Sequence, residues 1–368
     1  EHNVNWKEIE KKFSINLHEL CRPYASIYGI NPSKFFHIAA NTLSKLNNHI
    51  EKFDFIFTGN GPEPHHCAAE YLAIKHGVPR AYHGESSFDK NHFFIFSSKM
   101  NDIKLFKERD FKFQKTESSQ PKIITYQTEG KVPKRNLLSK LRQLSSIDFF
   151  RSLALRRRYF FNLVSQAIFN LFAKSNFMPC DDAKYIFFPL HVIQDSQILL
   201  RNYDLKEQEK IVNRIVEILP EGYKLIVKAH PGIQGNWPIG LLKFIFNKKV
   251  IFIKNNVPAL DLLDRVDYLI QITSSVGVEA MKKKVKIGYI GDWKIGECAG
   301  VKKLNMNDSY DFWNFLTNDK IGLQYDIRKL EKISYKGNFH PKSNELVNYY
   351  EIAKSLKEYT DFCDNDEI

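Results

Sequence analysis

The sequence has few cysteines and no long apolar run, and both shortages narrow the class of protein. Its five cysteines are odd in number and scattered, with no CxxC pair and no zinc-like grouping with histidine. We therefore expect a reduced, cytoplasmic protein without a structural metal. No apolar run approaches the roughly 18–20 residues of a membrane-spanning helix. The N-terminus has no signal-peptide pattern and no initiator Met, so we expect the chain to begin inside a longer protein.

The sequence contains enough apolar residues for two hydrophobic cores, and it has an excess of positive charge. The chain has 368 residues, of which 43% are hydrophobic, and this suffices for two domains of ordinary size. A formal net charge of +12 indicates an anionic partner, either nucleic acid, anionic lipid or a phosphorylated or carboxylated substrate. Nucleic acid is the least favoured of these, because no recognisable binding motif accompanies the charge.

The first part of the chain predicts a βαβ unit behind a helical start. Residues 7–52 are typical of helices. Strand-like residues 53–61 then run into a glycine turn, a helix is expected over 66–76, and a second strand over 80–85. Such a unit implies a parallel sheet with a right-handed crossover. Because the domain opens with helix rather than strand, we expect it to be truncated, with one or two strands upstream of Glu1.

The second part alternates strands and helices, which predicts another parallel α/β sheet. Strands are expected near 185–190, 223–228, 249–253, 267–272 and 286–290. The resulting domain prediction has four segments: an N-terminal Rossmann-like domain at 1–150 with a mobile loop at 114–138, a basic linker helix at 151–180, a second Rossmann-like domain at 181–330, and a C-terminal helix with an acidic tail at 331–368.

Polar clusters follow three of the predicted strands of the second domain. The carboxyl ends of parallel strands line the ligand crevice of an open α/β sheet, so these clusters are candidates for one site. They are Asp195 with its neighbours, Lys228 with His230 and Pro231, and Thr273 with Ser274 and Ser275.

The last two clusters have the chemistry of a phosphate or ribose site. A neutral imidazole beside a proline turn can hold ribose or phosphate, and the ammonium of Lys228 can offset phosphate charge. Hydroxyls at a helix start can bind an anion, and Glu279 could accept a hydrogen bond from a nucleotide hydroxyl. The structural alternatives are a turn with a capping histidine and an ordinary serine N-cap, with Glu279 only supporting the helix start.

Two carboxylates are candidates for catalysis. Asp195 could act as nucleophile or general base at the anomeric carbon of a sugar, or it could simply cap the helix that follows. Glu85, after the second strand of the first domain, would face the same cleft from the opposite wall. Its alternative is a solvated turn residue.

A basic and apolar helix is expected over 151–174. It is either a core helix with a charged end or a helix lying on an anionic membrane surface, where arginines bind headgroups and the apolar face inserts.

In their order, these motifs resemble those of the bacterial capsule polysaccharide synthesis family, which contains the Kdo transferases of capsule and lipopolysaccharide assembly. The resemblance runs from about Phe53 to about Leu304 and is fairly specific only in combination. Its elements are Phe57-Thr58-Gly59, Gln194-Asp195-Ser196-Gln197-Ile198, Lys228-Ala229-His230-Pro231 and Thr273-Ser274-Ser275-Val276-Gly277-Val278-Glu279-Ala280.

The resemblance implies a GT-B fold, with two Rossmann-like domains facing a cleft, and a retaining, metal-independent glycosyltransferase that uses CMP-Kdo and no cofactor. His230 with Ser274 and Ser275 would bind CMP, Asp195 would be the nucleophile and Glu85 the acid/base. The family usually has an acidic residue followed by Gly at the end of the second strand. Here the order is His83-Gly84-Glu85, so either Glu85 is displaced or His83 takes its place.

The expected partners are CMP-Kdo or a related CMP-sugar and a lipid-linked or saccharide acceptor, met in the cytoplasm or at the inner face of the cytoplasmic membrane. Another CMP-activated acid such as sialic acid is a close alternative donor, and a UDP-sugar is a weaker one. From a different class, the chain could be an inactive nucleotide-binding subunit of a capsule assembly complex.

Overall fold

The computed structural model describes residues 5–28, 30–85, 89, 91–96, 164–165, 167–180, 182–192, 195–199, 201–230, 237–318, 320, 323, 325–337 and 346–365. The loop predicted at 114–138, the arginines of the predicted basic helix and Pro231 lie outside these residues.

The chain divides into two units, and its C-terminal segment belongs to the first of them. Unit 1 comprises Glu1–Ile123, Leu199–Arg201 and Arg328–Ile368, and unit 2 comprises Ile124–Ile198 and Asn202–Ile327. The domain prediction instead treated residues 331–368 as a separate C-terminal segment.

Unit 1 begins with helices, as the sequence predicts for residues 7–52. A prolyl residue at the first position starts the fourth helix, and Gly77 ends it in the left-handed conformation (φ 68°), where its amide bonds the carbonyls of Ala73 and Ile74. Apolar side chains of these helices form one core with Ile56 of the first strand. The helices of unit 1 are α1 Trp6–Phe13, α2 Leu17–Tyr28, α3 Phe36–Asn47 and α4 Pro64–His76 at the start, with 3₁₀ turns at Pro32–Phe35 and Ile50–Lys52.

The sheet of unit 1 confirms the predicted βαβ unit and adds two strands. Strands β1 (Ile56–Gly59) and β2 (Arg80–Glu85) are parallel, and Gly59 is the register partner of His83. β3 (His92–Phe96) pairs antiparallel with β2, although the apolar run that forms it was not predicted as a strand. A two-residue strand, Tyr335–Lys336, pairs antiparallel with β3 and completes the order of this four-stranded sheet.

Unit 2 contains a six-stranded sheet in which every pairing is parallel. Five of its strands lie within a residue or two of the predicted positions, because each is a continuous apolar run bounded by polar or turn residues. The α/β prediction is therefore confirmed, with one sheet in each unit. In chain order the strands are β4 Lys184–Pro189, β5 Tyr223–Lys228, β6 Val250–Ile253, β7 Tyr268–Gln271, β8 Lys286–Tyr289 and β9 Lys302–Lys303. Their spatial order is β6-β5-β4-β7-β8-β9. The two-residue strand Tyr335–Lys336 of unit 1 comes last in the chain and is β10.

The helices after β4 are mostly short. Those of unit 2 are α5 Ser196–Leu199, α6 Gln208–Ile218, α7 Ala259–Leu263, α8 Val276–Lys282, α9 Lys294–Cys298 and α10 Ser309–Thr317, with 3₁₀ turns at Tyr203–Leu205 and Ile239–Phe244; those of the C-terminal segment are α11 Arg328–Lys332 and α12 Leu346–Asn365. The last helix lies within the C-terminal segment predicted at 331–368 and reaches Asn365.

The described end of the predicted linker helix is apolar on two faces. Phe169 is fully buried and stacks on Trp237 with ring centroids 4.4 Å apart. Leu171 and Phe172 of the same helical stretch are 80% and 47% exposed, and Phe172 meets the 85% exposed Phe246 edge to face. The helical stretch ends at Phe172, so the predicted linker to residue 180 is too long. The inner face agrees with a core helix, while the outer face leaves apolar side chains in solvent.

Candidate functional site

Neighbouring strands of unit 2 bring the predicted site residues to one edge of the sheet. Strands β5, β4, β7 and β8 are adjacent and parallel, so their carboxyl ends lie side by side. Lys228 is the last residue of β5, His191 follows β4 by two positions, and Thr273 follows β7 by two. This edge is where ligands of open α/β sheets bind.

Lys228 is a buried cation at this edge. Its side chain is 3% exposed, and Nζ donates a hydrogen bond to the carbonyl of the adjacent Ala229 at 3.2 Å. In the described part of the chain no carboxylate lies within ion-pair distance of it. Burial lowers the pKa of Lys228 from 10.5 to about 8, so the ammonium form is costly in the folded protein. A bound anion would relieve that cost.

Both Lys228 and Asp195 influence the ionisation of His230. The residue is exposed, yet partial desolvation lowers its pKa, the charge of Lys228 lowers the pKa further, and the carboxylate of Asp195 opposes both effects. The imidazole is therefore neutral near pH 7 and can accept or donate one hydrogen bond. Three of the predicted site residues thus share one electrostatic environment.

His191 is a site residue that the sequence analysis did not select. The Gln208 side chain holds its backbone on both sides: the His191 amide donates to Oε1 at 2.7 Å, and Nε2 donates to the His191 carbonyl at 3.0 Å. The amide of Thr273 points at the imidazole Nε2 from 3.4 Å. Burial, followed by the charge of His230, lowers the pKa of His191 to about 3 and keeps it neutral. His191 thereby connects the end of β4 to the loop after β7.

The loop after β7 carries three hydroxyl groups with different roles. Thr273 Oγ1 is buried and has no hydrogen-bond partner among the described residues. Ser274 Oγ accepts a bond from the amide of Val276 at 3.3 Å. Ser275 stands at the N-cap of α8 but its side chain makes no capping bond. The capping alternative therefore does not describe Ser275, and Thr273 is a buried hydroxyl that a ligand could satisfy.

The two acidic candidates of unit 2 differ in exposure: Asp195 lies in an exposed turn, and Glu279 is half-buried on a helix. Asp195 is exposed, and its Oδ1 accepts a bond from the amide of Gln197 at 2.9 Å, so the predicted helix-capping alternative is present. Glu279 lies on α8, where burial raises its pKa and the charges of Lys282 and Lys283 oppose the rise. Capping occupies one oxygen of Asp195 and does not exclude chemistry at the carboxylate.

The first-unit residues lie at the end of β2. His83 is half-buried, with its ring 5.9 Å from that of Phe57. Glu85 pairs with Phe93 through the backbone, and its side chain lies outside what the structure describes. The assignment of the acid/base to Glu85 or His83 stays a prediction, as does the cleft between domains.

A model of a known protein family matches the part of the chain that carries these residues. The model described as capsule polysaccharide biosynthesis protein matches residues 153–294, which include every predicted site residue of unit 2. Over this segment, which is less than half of the chain, the sequence is similar to the capsule polysaccharide biosynthesis family. This similarity supports glycosyltransferase activity in capsule polysaccharide synthesis. Nothing among the curated proteins matches the chain by sequence.

Several solved structures are similar to the chain at low sequence identity. The beta Kdo 2,7 transferase of Thermosulfurimonas dismutans KpsC is 14% identical, with a TM-score of 0.40, over 85% of this chain and 89% of that one. The beta Kdo 2,4 transferase of the same KpsC is 12% identical, with a TM-score of 0.35, over 82% and 86% of the two chains. S. aureus MnaA, solved with UDP, is 14% identical, with a TM-score of 0.34, over 94% and 87%.

The described residues also bear on metal binding and membrane insertion. Within the described ranges, no three His, Cys, Asp or Glu side chains come together as a metal site would require. No helix in those ranges has the length and apolarity needed to cross a bilayer.

Proposed function

We propose that the protein transfers Kdo from CMP-Kdo to a lipid-linked or oligosaccharide acceptor in the synthesis of a bacterial surface polysaccharide. The observation that carries the proposal is the buried ammonium of Lys228, which has no carboxylate partner in the described part of the chain. The unpartnered Thr273 Oγ1 lies on the same sheet edge. A cation without a carboxylate partner and a hydroxyl without a hydrogen-bond partner, both judged among the described residues, are groups that a phosphate of a nucleotide-sugar would satisfy.

The nucleotide is held by unit 2. Lys228 neutralises the phosphate, and the hydroxyls of Thr273, Ser274 and Ser275 bond its oxygens. His230, which is neutral and exposed to solvent, holds the phosphate or ribose together with Pro231. Glu279 accepts a hydrogen bond from a nucleotide hydroxyl.

The transfer itself is carried by carboxylates. Asp195 attacks the anomeric carbon, CMP leaves, and a covalent glycosyl ester forms; attack by the acceptor then gives overall retention. Glu85 or His83 supplies the acid/base function. The reaction needs only the CMP-sugar donor and the acceptor, with no cofactor and no metal. The protein meets the acceptor at the inner face of the cytoplasmic membrane. Burial lowers the pKa of both His191 and His230, which supports neutral imidazoles around this chemistry.

Nucleotide selectivity tests the proposal. We expect CMP, without added divalent metal, to stabilise the protein against heat more than UDP or GDP. At a hundredfold excess over its Kd, a ligand adds about 2.7 kcal/mol to the free energy of unfolding. A preference for UDP, or strict dependence on magnesium or manganese, would contradict the donor or the mechanism.

Two alternatives predict different products. A transferase for another CMP-activated acid would release CMP from CMP-sialic acid faster than from CMP-Kdo. An inactive nucleotide-binding subunit would bind CMP and release none from either donor. Comparing CMP release from the two donors therefore separates all three.

A further inference from the structure

A carboxylate and an imidazole form a hydrogen-bonded pair at the end of β1 in unit 1. Oε2 of Glu63 lies 3.2 Å from Nδ1 of His66, one helical turn further along the chain. The two side chains are 37% and 24% exposed, so a substrate can reach them. The bond to His66 is the main cause that lowers the pKa of Glu63, which keeps its carboxylate ionised.

Two glycines make room for this pair. A Cβ atom on Gly59 would lie 2.2 Å from Cε1 of His66, and one on Gly61 would lie 1.9 Å from Oε2 of Glu63. Any other residue at either position would displace the ring or the carboxylate. The Gly59-Asn60-Gly61 turn is therefore shaped around the pair, and Gly59 is also the register partner of His83.

Helix capping does not account for the pair. Glu63 stands at the N-cap of α4, where a carboxylate ordinarily accepts hydrogen bonds from amides of the first turn. Here its side chain makes no capping bond, and it is turned toward the imidazole of His66 instead. With Nδ1–H donating to the carboxylate, Nε2 carries the lone pair of the neutral ring and can accept a proton.

We propose that His66, oriented by Glu63, is the general base that activates the acceptor hydroxyl. As the acceptor oxygen bonds to the anomeric carbon, the bond from that carbon to its leaving group breaks, and the hydroxyl proton passes to Nε2 of His66. The charge of Glu63 stabilises the imidazolium that forms. This inference rests on the proposed function and assigns to Glu63 and His66 a role that the sequence analysis gave to Glu85 or His83.

The test uses water and azide as acceptors with the full chain and CMP-Kdo. Water must lose a proton when it attacks, whereas azide has none to lose. We expect His66→Gln to slow hydrolytic CMP release by about 10²-fold or more, the usual range for general-base catalysis, with an unchanged Kd for CMP. Azide should restore CMP release in His66→Gln and yield the Kdo azide. Glu63→Gln, which keeps the shape of the side chain, should show a smaller loss and the same rescue.

His65 provides the matched control. It is the exposed neighbour of His66, with ring centroids 4.0 Å apart, and it makes no described hydrogen bond to Glu63. His65→Gln should hydrolyse CMP-Kdo at the wild-type rate. Equal rates for His65→Gln and His66→Gln, or a loss in His66→Gln that azide leaves uncorrected while melting and CMP affinity stay normal, would overturn the inference. A wild-type protein that binds CMP but releases none from CMP-Kdo would instead refute the proposed function, and the inference would fall with it.

Discussion

Lys228→Met is the substitution that tests the site most directly, because it removes a buried charge and keeps the length of the side chain. The pKa of Lys228 falls from 10.5 to about 8 on folding. Each tenfold change in proton affinity is worth about 1.4 kcal/mol, so burying the ammonium costs roughly 3 kcal/mol at neutral pH. The Met variant should therefore be more stable than the wild type without ligand.

The pH dependence follows from the same shift. Because the folded pKa lies below the unfolded one, the folded protein binds fewer protons between about pH 8 and pH 10.5. The free energy of unfolding of the wild type should rise relative to that of Lys228→Met across this window, until the two meet at its upper end. Below about pH 8 the difference should be constant and at its largest. Urea unfolding of both proteins at several pH values measures it.

Binding should change in the opposite direction. If Lys228 neutralises the phosphate of CMP, its loss removes a charged hydrogen bond of roughly 1.5–3 kcal/mol, which corresponds to about a 10–100-fold higher Kd by calorimetry. In the wild type, affinity for CMP should also decline as the pH rises above about 8. A Met variant that is less stable than the wild type and binds CMP equally well would refute the reasoning about this cation.

Lys286 supplies the control for burial alone. It is 5% exposed, stands at the first residue of β8 and donates to the carbonyl of Asn318 at 2.8 Å. Since it begins its strand, it lies at the opposite edge of the sheet from Lys228. Lys286→Met should leave the Kd for CMP unchanged.

Three further variants test the transfer chemistry, the binding of phosphate and an exposed apolar surface. Asp195→Asn keeps an oxygen to accept from the Gln197 amide, so it should bind CMP normally and lose more than about 10³-fold in kcat; normal turnover would reduce the residue to a helix cap. Ser274→Ala with Ser275→Ala should weaken CMP binding by roughly 10-fold or more without lowering the melting temperature, and unchanged affinity would argue against phosphate contacts. Leu171→Ser with Phe246→Ser should reduce flotation of the protein with anionic vesicles, because both side chains are exposed and apolar. Trp313→Ser, which alters another exposed aromatic side chain, should leave flotation unchanged. If the wild type binds neutral and anionic vesicles equally, the surface has no preference for anionic headgroups.

The sequence predicted the strands of unit 2 well because their signal is local. In Tyr223–Lys228, for example, the apolar residues 225–227 end at the charged Lys228, so one local pattern indicates both the strand and the polar group at its end. Asp195, Lys228, His230 and Thr273 were found in this way. Their common location follows from parallel strands, whose carboxyl ends share an edge.

What the sequence did not predict depends on residues far apart in the chain. His191 acquires its role from Gln208, 17 positions away, and from Thr273, 82 positions away, so no window around it reveals the contact. Similarly, β10 has only two residues, and it is a strand because β3 offers an edge rather than because of local propensity. The pair of Glu63 and His66 shows a third case, since the role of Gly59 and Gly61 is visible only once the ring and carboxylate are placed against them.

The return of the C-terminal segment to unit 1 has a consequence for how the protein is made. Tyr335 and Tyr359 share a core cluster with Phe93 and Ala81, which are encoded more than two hundred residues earlier. A ribosome therefore synthesises all of unit 2 before it supplies Tyr359, so unit 2 can begin to fold while this cluster of unit 1 is still incomplete. Unit 1 is the part expected to engage chaperones in the meantime. A stop codon placed after Ile327 should accordingly leave unit 2 able to fold and unit 1 open to proteases.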